Sequence, residues 1–158
     1  MMQERSLRNH NNFRENLEFG QQGEIEVAKR LMKVFKGLEI KDFNNDKACD
    51  IVCEWNGKPM LVEVKEDERC KDTGNVVVEY KSWGKPSGIA TSTSDIWVFK
   101  LHRDDGIHYL MFGIKTLRKI IEDRLYWNNR QMMHTDSNNW LYFFKYNTLL
   151  DKCDLELV

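Results

Sequence analysis

"DIVCEWNGKPMLVEVK", residues 50–65, carries an aspartate at its start, a glutamate and a lysine at its end, and Asn56-Gly57 in the middle. Asn-Gly between two apolar runs is the pairing a two-residue type I′ turn demands, because both central residues need positive φ. If that turn forms, paired positions sum to 113. Trp55 then faces Lys58, Cys53 faces Met60, and Asp50 faces Glu63. Pairs alternate between hydrogen-bonded and non-bonded rungs, so Glu54 with Pro59 falls on a non-bonded rung and the missing proline N–H breaks nothing. The same count puts Asp50 and Glu63 on one face, and Lys65, two residues on, shares it.

Two carboxylates held side by side repel unless a cation or a proton sits between them. Mg²⁺ is a natural occupant, being a hard cation that takes oxygen ligands and keeps several waters. A lysine beside such a site can hold or deprotonate a water, or neutralise charge that develops on a phosphoryl group. The competing reading is a surface ion triad of Asp50, Glu63 and Lys65 at a sheet edge, since exposed ion pairs are common. Spacing alone leaves both open.

Around the hairpin the chain alternates helical and extended signals. Ile25, Ala28, Leu31, Met32 and Phe35 recur at steps of three and four with Lys29, Arg30, Lys33 and Lys36 between them, which predicts an amphipathic helix from Leu17 to about Phe35, ended at Gly37. LEIKDF, NVVVEYKS, IWVFKL and HYLMFGI read as strands, Ile114 to Trp127 as a second amphipathic helix, and NNRQMMHTDSNN as a long loop. WLYFFKYNTLL closes the chain as an apolar strand or short helix. The order predicts an α/β protein, a central mixed β-sheet flanked by helices. One domain over residues 1–158 is expected, with 1–16 a mobile arm.

The 158 residues carry 24 Lys and Arg against 25 Asp and Glu, so no global basic field advertises a nucleic-acid partner, and such a partner needs a local patch. Lys81, Lys85, Arg103, Lys115, Arg118, Lys119, Arg124 and Arg130 are candidates for one, against a plain solvated surface. No apolar run has membrane length, and the polar start lacks a secretory signal, which predicts no membrane contact and a cytoplasmic location. Four cysteines without a C-x-x-C pair, and four dispersed histidines, offer no metal-ligand spacing. Gly84-Lys85-Pro86-Ser87 lacks the leading glycine of a phosphate-binding P-loop, where Glu79 stands, and a proline separates its lysine from its serine. A turn into a helix start fits it better, with Lys81, Lys85 and the Ser87 hydroxyl available to a DNA phosphate.

Asp50 followed by Glu63-Val64-Lys65 resembles the D-x(n)-E-x-K signature of the PD-(D/E)XK nuclease superfamily. Gly20-Gln21-Gln22-Gly23-Glu24-Ile25-Glu26-Val27-Ala28 is similar to the opening of that family's first helix. The family's core, which is restriction-endonuclease-like, runs helix, three strands, helix, strand. Residues 17–101 follow that order if Ser87 to Asp95 form the second helix and Ile96 to Leu101 the next strand. The resemblance implies a Mg²⁺-dependent DNA endonuclease, with Mn²⁺ able to substitute. Asp50, Glu63 and the Val64 carbonyl would be metal ligands, Lys65 would position water, and Glu24 would be an additional carboxylate. GNVVVEYKSWGKPSGIATSTSDIWVF is similar to segments of phage-encoded members, and the size resembles that of Holliday-junction resolvases. That implies branched DNA as substrate and a homodimer, with Trp127, Trp140, Tyr142, Phe143 and Phe144 as interface candidates. Site-specific or exonucleolytic cleavage, and a catalytically inactive binding module, are the alternatives.

Overall fold

The computed structural model describes the backbone over residues 22–43, 49–128, 132–134 and 138–158, and side chains over the same residues except 124–134. The expected arm at 1–16 and the helix start at Leu17 lie outside the described residues. Helix α1 (Gln22–Val34) buries Glu24, Val27, Ala28 and Leu31 on one side, as the three-and-four spacing dictates. Gly37 follows in the left-handed region at φ 83° and turns the chain into β1 (Glu39–Phe43). Strands β2 (Ile51–Trp55) and β3 (Lys58–Asp67) form the expected hairpin, with Asn56 at φ 53° and Gly57 at φ 77°. Its register is Trp55↔Lys58, Glu54↔Pro59, Cys53↔Met60 and Ile51↔Val62, so the turn chemistry did fix the pairing. The indole N–H of Trp55 donates to the Lys36 carbonyl at 3.0 Å, and its ring meets Phe35 edge-on, which ties the hairpin to the end of α1.

From β3 the chain passes through α2 (Cys70–Thr73), β4 (Asn75–Ser82), β5 (Lys85–Pro86) and a 3-10 turn (Gly88–Ala90) before β6 (Ile96–Arg103). Strand β6 lies parallel to β3, with Glu63↔Trp97 and Lys65↔Phe99. Strand β7 (Gly106–Gly113) returns antiparallel, α3 (Ile114–Asn128) follows, and then come β8 (Met132–His134), β9 (Asn139–Lys145), α4 (Tyr146–Lys152) and β10 (Leu155–Leu157). The main sheet is mixed and six-stranded, in the order β1-β2-β3-β6-β7-β10. A second, antiparallel sheet joins β4, β9 and β8, with the two-residue β5 on its edge. The α/β class with a mixed sheet flanked by helices is therefore observed.

Two apolar cores sandwich the main sheet. Val27, Ala28 and Leu31 of α1 pack on Ile51, Val62, Val98 and Tyr109 on one face. On the other, Trp97, Phe99, Leu101, Leu110 and Phe112 meet Val76 and Val78 of β4, Tyr142 and Phe144 of β9, and Leu117, Ile120 and Ile121 of α3. Covered on both faces, β6 reads as a continuous apolar run rather than an alternating one. Tyr142 and Phe144 are thus core residues, which removes them from the expected dimer interface.

Four expectations need correction. Ser87 to Asp95 do not form a helix: the 3-10 turn at Gly88–Ala90 is the only helical piece there. Ser and Thr offer the backbone competing side-chain hydrogen bonds, and Ser92 Oγ accepts the Ser94 N–H at 3.3 Å. Gly88 has φ 53°, and a Cβ at that position would collide with the Glu79 carbonyl. NNRQMMHTDSNN is not all loop, because Met132–His134 pair with β9. The C-terminal apolar stretch is strand and helix in succession, followed by β10. Finally, the β2–β3 ladder ends at Ile51↔Val62, so Asp50 does not form the next regular rung with Glu63. The Asp50 N–H turns in to donate to the Val62 carbonyl at 3.0 Å.

Candidate active site

Where β2 begins and β3 has crossed half its length, a cavity of about 260 Å³ is lined by Gly23, Glu24, Asp50, Glu63, Val64, Lys65 and Glu66. Each residue arrives by a local necessity. Glu24 sits in the first turn of α1 and is 6% exposed, directed inward by the face that buries Val27 and Ala28. Gly23 lets the helix start approach β3, since a Cβ there would lie 3.0 Å from Glu66 Oε1. Asp50 leaves the ladder but is locked to β3 by its side chain: Oδ2 accepts the Val64 N–H at 2.7 Å. Glu63 and Lys65 share a face of β3, and Lys65 Nζ stands 2.8 Å from Glu63 Oε1. The Lys65 ammonium also lies 5.4 Å from the centre of the Trp97 ring.

All four side chains expected to do chemistry, Glu24, Asp50, Glu63 and Lys65, therefore line one cavity, together with Val64. Glu24, Asp50 and Glu63 each bring a carboxylate to the cavity wall, but their oxygens are not all gathered within 4.8 Å of one another. Val64 occupies one oxygen of Asp50 and Lys65 one oxygen of Glu63, so each carboxylate has a second oxygen that a cation entering the cavity would draw in. Oxygen-only donors with no thiol or imidazole favour Mg²⁺ or Mn²⁺ over zinc.

A larger cavity, about 580 Å³, opens beside the first and shares Lys65 and Glu66 with it. Its far wall is the second sheet, through Val77 and Glu79 of β4 and Leu141 of β9, and Arg69 stands on its rim. Lys81, Lys85 and Ser87, expected to hold phosphate, line neither cavity. Lys81 lies farther along β4, 5.7 Å from the Trp140 ring, and Lys85 is exposed on β5. The Ser87 hydroxyl is buried, has no hydrogen-bond partner among the described residues, and precedes a 3-10 turn in place of the expected helix.

The residues that brace the site were not evident in the sequence. Lys100, on β6 and 6% exposed, reaches Glu26 of α1 at 2.9 Å and Glu66 of β3 at 3.2 Å. It thereby joins the helix that carries Glu24 to the strand that carries Glu63 and Lys65. Tyr109 OH donates to Glu26 Oε2 at 2.7 Å, and the Arg30 guanidinium lies 3.9 Å over the Tyr109 ring. Hydrogen bonds from Lys100 and then Tyr109 hold the Glu26 carboxyl at about 2. Burial, then the bond to Glu26, pushes the Tyr109 phenol up to about 12. A lysine inside the apolar run IWVFKL was the available signal, because a buried ammonium requires partners. Glu66, Glu68 and His102 bring donor atoms within 4.8 Å of one another, but Glu66 is already bound to Lys100 and His102.

The cysteines behave as small apolar groups. Cys49, Cys53 and Cys70 are buried and free, and burial pushes the Cys53 thiol up to about 12. Among the described residues no helix is long and apolar enough to cross a membrane. No protein-family model, no curated protein and no solved structure matches the chain.

Proposed function

We propose that this chain is a metal-dependent DNA nuclease of the PD-(D/E)XK type. The observation that carries the reading is the shared cavity of Glu24, Asp50, Glu63 and Lys65, the four residues the resemblance singles out, which come from α1, the residue before β2, and β3. The element order supports it further: a helix, three antiparallel strands β1-β2-β3, then a strand parallel to β3. The crossover departs from the expected pattern, since a short helix, the β4–β5 hairpin and a 3-10 turn stand where one helix was expected.

Asp50, Glu63 and the Val64 carbonyl would hold Mg²⁺ or Mn²⁺, with Glu24 as a further carboxylate. When bound, the cation supplies charge neutralisation at the scissile phosphate and acidifies a water. The protein's own groups do the rest. Glu63 fixes the Lys65 ammonium at 2.8 Å, and Lys65 orients the attacking water and offsets the negative charge that grows on the phosphoryl oxygens. Water adds to phosphorus and gives up a proton as the P–O bond to the leaving nucleotide breaks, and the leaving oxygen takes a proton up from solvent. The Val64 N–H holds Asp50 in place through this step, so the ligand is oriented before substrate arrives.

Branched DNA is the preferred substrate on the resemblance, cut by a homodimer with one site per strand. The test is a panel of end-labelled linear duplex, single strand and synthetic four-way junction, each incubated with Mg²⁺, Mn²⁺ or EDTA. Metal-dependent cleavage, strongest on the junction, is expected. No cleavage of any substrate at high protein concentration overturns the reading.

A further inference from the structure

The chain makes the same two-residue turn twice. Between β2 and β3 it uses Asn56 (φ 53°) and Gly57 (φ 77°); between β4 and β5 it uses Trp83 (φ 50°) and Gly84 (φ 77°). Asparagine tolerates the left-handed region, whereas a bulky residue there is a genuine outlier that costs free energy. Trp83 is also 74% exposed, so it recovers little of that cost by burial. Its backbone is held in place: the Trp83 N–H donates to the Asn138 carbonyl at 3.1 Å, and Ser82 Oγ donates to Asn139 Oδ1 at 2.7 Å. A left-handed backbone that carries a large exposed indole is costly to stability twice over, and the Asn56-Gly57 turn shows the cheaper solution.

The surroundings state what the indole meets. Lys81 and Lys85 stand two residues to either side of it in sequence and on opposite faces of the hairpin, since Lys81 pairs with Pro86 and Lys85 with Ser82, and from Tyr80 to Ser94 the chain carries no carboxylate. An exposed aromatic at the tip of a hairpin that carries a cation on each face fits a nucleic-acid strand, whose bases stack and whose phosphates pair with lysine. The hairpin also points back to the site: Glu79, four residues before Trp83, lines the cavity that Lys65 shares. Four residues of strand span roughly 13 Å from Glu79 to Trp83, and the width of that cavity adds to this before Lys65 is reached, a path of several nucleotides.

Building on the nuclease reading, we infer that Trp83 stacks on an unpaired or unstacked base a few nucleotides from the scissile phosphate, with Lys81 and Lys85 on the flanking phosphates. This makes the substrate DNA with a single-stranded or disrupted segment beside the cut. It also gives Lys81 and Lys85 the partner that the phosphate loop did not supply.

The test compares wild type, Trp83→Asn and Trp83→Phe by fluorescence anisotropy in Ca²⁺, with flush duplex, duplex carrying a single-stranded tail, and four-way junction. Trp83→Asn is expected to unfold at the same temperature as wild type or higher, because it restores the residue this turn favours. It should bind the tailed duplex and the junction about tenfold more weakly, yet flush duplex within about twofold, as the loss of one stacked base requires. Trp83→Phe, which keeps a stacking face, should recover most of the affinity. Unchanged binding by Trp83→Asn to every DNA, or an equal loss on flush duplex, overturns the inference while leaving wild-type cleavage intact. Wild-type protein that neither binds nor cuts any of the DNAs overturns the nuclease reading, and the inference with it.

Discussion

Asp50 Oδ2 accepts the backbone N–H of Val64 at 2.7 Å, so one candidate ligand is hydrogen-bonded to the strand segment that carries the others. The bond gives Asp50 two separable jobs, and substitutions tell them apart. Asp50→Ala leaves the Val64 amide without its acceptor and should destabilise the fold by about 1–3 kcal/mol. Asp50→Asn keeps an acceptor of the same shape and should unfold within about 0.5 kcal/mol of wild type, as substitutions that break no buried contact do. Both should lose Mn²⁺ affinity in calorimetry. If Asp50→Asn binds Mn²⁺ as wild type does, Asp50 is not a ligand.

Lys65 makes a half-exposed ion pair with Glu63, and its removal should barely touch stability, by about 0.2–1 kcal/mol. Its chemical role is larger. Lys65→Ala should lower the cleavage rate by about 10²–10³, the cost of removing one group that stabilises transition-state charge. DNA affinity measured in Ca²⁺ should stay near wild type. A Lys65→Ala protein that cuts at the wild-type rate would falsify the assignment.

Lys100 ties α1 to β3 through Glu26 and Glu66. Lys100→Met should cost about 2 kcal/mol in urea unfolding, less than the ~3–5 of a fully buried pair because Glu66 still reaches water. The pH dependence follows from Glu26, whose folded pKa of about 2 lies below its ordinary 4.5. A depressed carboxyl contributes stability that is present above pH 4.5 and lost as pH falls toward about 2. Lys100→Met should flatten the urea midpoint across that acid window. An undiminished acid dependence in the variant contradicts the bridge.

His108 works in the opposite direction. Its ring lies 2.8 Å from Asp105 and 3.1 Å from Glu156, and the bond to Asp105, seconded by Glu156, raises its pKa above 6.5 against the opposing effect of burial. A raised histidine contributes stability that is fully present below pH 6.5 and lost as pH rises through the folded value. Melting temperature should therefore decline on the alkaline side of pH 6.5, and His108→Gln should remove that decline. Identical profiles for the two proteins would rule the pair out as a source of pH dependence.

What could be read from the sequence was local. Asn56-Gly57 and the position of Pro59 determine a register that the folded hairpin reproduces, because turn geometry and the two-residue period leave few choices. The last step of that register failed at Asp50, where the ladder stops and the side chain takes over, a change no periodicity encodes. NVVVEYKS reads as a strand, but its partner β9 lies some sixty residues on, so the second sheet and the cavity it walls off were invisible. Ser87 to Asp95 were misassigned because Gly88 serves close packing against Glu79 rather than a helix start. Lys100, Glu26 and Glu66 meet only once α1 crosses the sheet, and their pairing is a property of the fold.

The most direct measurement is Mg²⁺-dependent cleavage of a labelled four-way junction by wild-type protein and Glu63→Gln, purified side by side, with Mn²⁺ affinity measured on the same samples. Wild type should bind Mn²⁺ and cut only when a divalent cation is present, and Glu63→Gln should do neither while still binding the junction. Equal cutting by the two proteins, or Mn²⁺ binding that survives the substitution, would contradict the account.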